Sequence, residues 1–202
     1  MGKIVGIRQE THYRFLNFFT LDARNKNGGK KEYYMASRSK DVEHLKLVTG
    51  KNVPDGVTMY VICGEKKDKV LLVRQYRYPV DGWIYEFPSG IIDPGESYRE
   101  AAIREVREET GMEFHPIEVD PMYERARFQT VGMTDESCAC VYGYATGEPS
   151  SAGEEEAEEI EVVLADKAEV RRILREEEMA SGCAYHLAHF LHDDDPFAFL
   201  KG

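Results

Sequence analysis

The spacing of apolar positions changes period several times along this chain, and each change marks a predicted element. Residues 14–24 and 30–38 are rich in Phe, Tyr and Thr, and Asn25-Lys26-Asn27-Gly28-Gly29 between them is turn chemistry. That pattern predicts a β-hairpin. A Pro-Gly break at 52–56 follows, and then 57–63 and 69–78 read as a second strand pair joined by a charged turn at 64–68. The period becomes helical over 97–110. Ser97 with Glu100 forms a capping box, Gly111 stands where a helix stop favours a left-handed residue, and Ala102, Ile103 and Val106 fall on the side predicted to be buried. Further on, 137–146 alternates as a strand does, and 158–165 sets Ile160, Val162 and Leu164 opposite Glu159 and Glu161. Asp166 with Glu169 opens a helix predicted to reach about Met179, and 184–191 is predicted to make a last one. Interleaved strands and helices with mostly local strand pairing define an α+β or mixed-sheet class, with a domain boundary near Lys51. The acidic run 154–161 reads as a solvated loop entering a strand.

Composition narrows the function. The chain has 202 residues, 26 Lys and Arg against 37 Asp and Glu, and a formal charge of −11. Such a balance repels phosphate backbones and anionic membranes, so neither a nucleic acid nor a membrane partner is expected. A phosphorylated substrate then needs placed Arg and Lys or divalent ions held by carboxylates. No secretory signal is expected at residues 1–15, which carry Lys3, Arg8, Glu10 and Arg14, and no uncharged stretch reaches the length of a membrane-spanning helix. Cys63, Cys138, Cys140 and Cys183 form no C-x-x-C pair. Free thiols in a reducing cytosol, and a cytoplasmic location, are the expectation.

The predicted helix carries the strongest chemical signal. Glu105, Glu108 and Glu109 lie at i, i+3 and i+4, so three carboxylates crowd one turn. Their repulsion favours a bound cation, and oxygen-only ligands suit Mg²⁺ or Mn²⁺. The turn-rich loop Gly90-Ile91-Ile92-Asp93-Pro94-Gly95-Glu96 feeds the helix, and Arg104 is placed to pair with Glu96 or Glu100.

Gly90, Glu96 and Arg104-Glu105-Val106-Arg107-Glu108-Glu109-Thr110-Gly111-Met112, at these spacings, resemble the Nudix box at every defined position. Leu72-Val73-Arg74-Gln75-Tyr76-Arg77-Tyr78-Pro79 and Trp83-Ile84-Tyr85-Glu86-Phe87-Pro88-Ser89-Gly90 look like the ADP-ribose pyrophosphatase branch of that family. The resemblance implies a mixed-sheet α/β/α sandwich over 52–202. It also implies a β-rich segment at 1–51 that builds a homodimer and contributes to the substrate pocket. The implied reaction is Mg²⁺-dependent hydrolysis of a nucleoside diphosphate sugar, foremost ADP-ribose to AMP and ribose 5-phosphate. Another nucleotide sugar such as GDP-mannose, or a non-catalytic ADP-ribose-binding module, remains an alternative.

Carried over residue by residue, the resemblance makes Glu105 and Glu109 the main metal ligands, Glu108 a supporting one, and the Ser89 carbonyl a further ligand. Arg104 orients them through Glu96. Arg74, Arg77 and Glu86 are the implied substrate contacts, although both arginines also fit a plain edge strand. Glu136, in Gly132-Met133-Thr134-Asp135-Glu136, is the implied general base on a segment expected to be mobile, with Val131 where the family commonly has Pro. Asp135 and Glu136 also fit ordinary turn residues, and Glu108 or Asp135 is the alternative base. His186, His189 and His192 recur every third residue but meet no zinc spacing. Cys138 and Cys140 read as small buried side chains, and Phe18, Phe19, Tyr33 and Tyr34 fit either base stacking or packing.

Overall fold

The computed structural model describes residues 2–150 and 159–201. Strands in chain order are β1 (Lys3–Gln9), β2 (Asn17–Arg24), β3 (Lys30–Ser37), β4 (Gly56–Cys63), β5 (Lys69–Arg77), β6 (Gly82–Glu86), β7 (Ser89–Ile91), β8 (Glu113–Pro116), β9 (Arg127–Phe128), β10 (Ser137–Thr146) and β11 (Ile160–Ala165). Helices are α1 (Lys46–Thr49), α2 (Tyr98–Thr110), α3 (Pro121–Glu124), α4 (Lys167–Glu176) and α5 (Ser181–His192). None of the described helices is long and apolar enough to cross a membrane.

The chain divides into two compact units, one of residues 1–55 with 126–138, the other of 56–125 with 139–202. In the first unit β2 and β3 form the expected antiparallel hairpin, with Leu21 opposite Tyr33, and β1 adds a third antiparallel strand. Period-2 alternation turns Phe19, Leu21 and Met35 inward, where they pack with Leu45. The same alternation leaves Phe18 and Tyr34 exposed on the other face.

The second unit is built on strands in the order β11-β5-β4-β10-β8, with β6 pairing β5 and β7 pairing β4. Residues 57–63 and 70–73 are all but continuously apolar because both faces of these strands are covered. Val57, Met59, Val61 and Cys63 pack with Ala101, Ala102 and Val106 of α2. Tyr60 and Ile62 point the opposite way, into a core with Val170 and Ile173 of α4 and Cys183, Leu187 and Phe190 of α5. The result is the expected α/β/α layering of an α+β, mixed-sheet fold.

Three expectations are corrected. Ile103 is exposed, and Ala101 takes its place in the buried stripe, because small residues let α2 approach β4 closely. The helix opened by Asp166 ends at Glu176, short of Met179, which forms a bridge with Tyr85. The last helix begins three residues early, at Ser181. Of the acidic run, residues 154–158 lie outside the described residues, and the strand begins at Ile160.

Candidate active site

Helix α2 starts where its sequence says it should. The Ser97 side chain accepts from the Glu100 N–H while the Glu100 carboxylate accepts from the Ser97 N–H, and Gly111 closes the helix with φ of 70°. Burial of Ala101, Ala102 and Val106 against β4 then fixes the helix rotation, so the Glu105 and Glu109 flank turns toward β7. On β7, Gly90 stands opposite Val57. A Cβ at Gly90 would lie 1.9 Å from the Glu105 carboxyl carbon. Only glycine admits that carboxylate here.

Arg104 organises the acidic turn. Its Nε and Nη2 donate to the two oxygens of Glu96 at 3.0 and 2.9 Å, and Nη2 also donates to the Ile91 carbonyl at 3.0 Å. Nη1 donates to Glu105 Oε1 at 2.8 Å and to Glu108 Oε2 at 2.9 Å. All the donor groups of the guanidinium are thereby used. Hydrogen bonding to Arg104 holds the Glu96 carboxyl below its ordinary range, and Glu96 in turn raises the Arg104 pKa. Glu109 is buried at 6% exposure and accepts the Ser89 N–H at 3.2 Å. The four residues implied as metal ligands, Glu105, Glu108, Glu109 and Ser89, are therefore gathered around Arg104, Gly90 and the α2–β7 contact.

Among the described residues no group of three or more His, Cys, Asp or Glu side chains stands ready to hold a metal ion as placed. Glu105 and Glu108 turn oxygens to Arg104, and Glu109 turns one to a backbone N–H. The donor set nevertheless fits a hard divalent cation, since it is oxygen throughout, three carboxylates and a backbone carbonyl, and the Gly90 cradle leaves Glu105 no bulk to displace.

The three implied substrate contacts stand on neighbouring strands. Arg77 donates to Glu86 at 2.7 Å. Arg74 pairs with Glu161 of β11 at 2.9 Å and lies over the Trp83 ring, 4.9 Å from its centroid. Glu136 belongs to the other unit, where Arg38 Nε donates to its Oε1 at 2.6 Å. In the segment expected to be mobile, Tyr33 Oη donates to the Gly132 carbonyl at 2.5 Å, and the Ala36 N–H donates to that of Met133 at 2.9 Å. These ties escaped the sequence reading because Arg38 and Glu136 are 98 positions apart, and no local period links them.

Packing accounts for several of the remaining candidates. His186 sits among the rings of Tyr60, Phe87, Tyr142 and Phe199, and His189 stacks on Phe199 at 4.6 Å. Burial pushes the Cys63 and Cys138 thiols up to about 11, which removes them as nucleophiles near neutrality. Phe19 is core and Tyr33 holds Gly132.

The NUDIX domain model matches residues 53–182, a span that holds the glycine-floored acidic turn and the arginine that clamps it. The chain belongs to the Nudix family. It is 31% identical over 109 residues to an ADP-ribose pyrophosphatase of Saccharomyces cerevisiae, covering 52% of this chain and 43% of that protein. It is 35% identical over 97 residues to an ADP-sugar pyrophosphatase of Mus musculus, covering 46% and 44%. The chain thus spans less than half the length of these two relatives. Its fold matches the crystal structure of an ADP compounds hydrolase with a TM-score of 0.65 and 18% identity, over 94% of this chain and 91% of that one.

Proposed function

We propose that this chain hydrolyses the diphosphate bond of a nucleoside diphosphate sugar, with ADP-ribose as the first candidate, giving AMP and ribose 5-phosphate in the presence of Mg²⁺. The observation that carries the reading is the Arg104 clamp, which holds Glu96, Glu105 and Glu108 beside Gly90 while Glu109 is fixed by Ser89. The names of the yeast and mouse relatives support the substrate class.

Glu105, Glu109, Glu108 and the Ser89 carbonyl are the groups that would hold the cation, and Arg104 keeps the Glu105 and Glu108 carboxylates aimed. When bound, a divalent cation neutralises diphosphate charge and makes a water more acidic. In the reaction the water oxygen bonds to one phosphorus, and the bond from that phosphorus to the bridging oxygen breaks. The bridging oxygen leaves with the electron pair on the other phosphate, and Glu136 takes the water proton. The assignment of Glu136 rests on its place in the motif. Arg74 and Arg77 contact the phosphates or sugar, Arg77 with its carboxylate partner Glu86, as guanidinium geometry suits.

A panel of nucleoside diphosphate compounds incubated with Mg²⁺, reading released phosphomonoester, tests the proposal. ADP-ribose is expected to be cleaved, and Glu109→Gln to lower turnover at least about 10²-fold with the fold kept, because a glutamine oxygen still accepts the Ser89 N–H. No release from any member of the panel, or full turnover in the variant at saturating Mg²⁺, overturns it.

A further inference from the structure

Six consecutive residues, Gly132 to Ser137, are each tied to residues of the first 55. Gly132 and Met133 are held by Tyr33 and Ala36, and Thr134 forms a bridge with Ala36. The Lys46 N–H donates to Asp135 Oδ2 at 3.4 Å, and Arg38 holds the Glu136 carboxylate. Ser137 is the anchor of the series, and it is fully buried. Its hydroxyl accepts from Lys46 Nζ at 2.5 Å and donates to Asn52 Oδ1 at 2.7 Å. Its N–H donates to Asp55 Oδ2 at 2.9 Å, and its carbonyl accepts the Asp55 N–H at 2.8 Å. Lys46 Nζ closes the ring by donating to the same Asp55 oxygen at 2.6 Å.

An ammonium with only 13% of its side chain exposed is costly unless its donors are used, and here they meet a carboxylate, a hydroxyl and an amide oxygen. Such a node is stiff, because moving any member strands a buried charge. It grips the residue next to Glu136 by backbone and side chain together. Nothing in the diphosphate chemistry otherwise requires Lys46, Asp55 or Ser137.

We propose that Lys46 is a positioning residue for Glu136, acting through Ser137 and Asp55 to fix the backbone from which the Glu136 carboxylate projects. This rests on the reading of Glu136 as the base. The N-terminal residues then have a role in turnover, in that they carry the anchor of the loop.

A double-mutant cycle on the full chain tests this, with kcat and KM for ADP-ribose measured at saturating Mg²⁺. Glu136→Gln is expected to lower kcat by roughly 10² to 10⁴-fold. Lys46→Met is expected to lower kcat about tenfold with KM within about twofold, and to have no further effect once Glu136 is Gln. Equal losses from Lys46→Met in both backgrounds, or unchanged kcat, overturn the positioning role while leaving Glu136 as base. Full kcat in Glu136→Gln defeats the base assignment and the proposal with it. Should Lys46→Met lose its folded circular dichroism, Ser137→Ala replaces it in the same cycle, since it removes the hydroxyl's bonds to Lys46 and Asn52 and keeps the Lys46–Asp55 pair. The expected loss is then about threefold, again only when Glu136 is present.

Discussion

At the residue scale, Gly90 and Arg104 decide the shape of the acidic turn. A Cβ on Gly90 would collide with the far end of a flexible glutamate, not with backbone, and Gly90 has no left-handed φ to lose. Gly90→Ala is therefore expected to fold with little loss of melting temperature while swinging Glu105 away. Turnover should fall by about tenfold or more, as for a displaced catalytic group. A melting scan with a kcat measurement checks this, and an active alanine variant would show that Glu105 does not need that position. Glu96 has a pH signature. Its carboxyl lies below the ordinary value of 4.5 when folded, so the stability it contributes is present above that pH and is lost as pH falls through the lower folded value. Glu96→Gln is expected to melt lower at neutral pH and to show a smaller further drop between neutral and acid pH than the parent. Parallel acid sensitivity in both chains would contradict it. The carboxylates and Arg104 were legible in the sequence because they lie within one helix and its lead-in loop. The pairing of Arg74 with Glu161 was not, since it depends on β11 lying beside β5.

At the element scale, local rules located α2 to the residue. A capping box, a buried stripe and a glycine stop all agree there, and the structure has all three, with Ala101 in the stripe in place of Ile103. Ser97→Ala is expected to cost about 1 kcal/mol, or about 2 to 4 °C in a chain of this size, by leaving the Glu100 N–H without its acceptor. Thermal unfolding checks it, and an unchanged midpoint would mean the cap contributes nothing. The hairpin β2–β3 was equally legible, from its asparagine and glycine turn. Strand β1 was not. It has seven residues of mixed character and is fixed only by pairing with β2, including an irregularity between Ile4 and Gly6. Strand β7 is three residues long and is set by its partner β4. The displaced end of α4 has a similar cause, as Met179 is held by the bridge to Tyr85.

At the scale of the whole molecule, the sequence indicated a boundary near residue 51 but gave no sign that 126–138 would join the first 55 residues, because that union is made of contacts between distant residues. The open face of the first unit carries Phe18 at 50% and Tyr34 at 65% exposure. A three-stranded sheet with aromatic residues uncovered favours self-association. Light scattering is expected to give twice the 23.1 kDa of one chain at micromolar concentration, and a monomer would refute the pairing. The proposed hydrolysis, at the clamped carboxylates of the second unit, delivers one water to one phosphorus. Its most direct test is hydrolysis of ADP-ribose with Mg²⁺ in ¹⁸O-water, read by mass spectrometry of both products. Equal amounts of AMP and ribose 5-phosphate are expected, with label in only one of them. Label in both products, or no AMP at all, would contradict it.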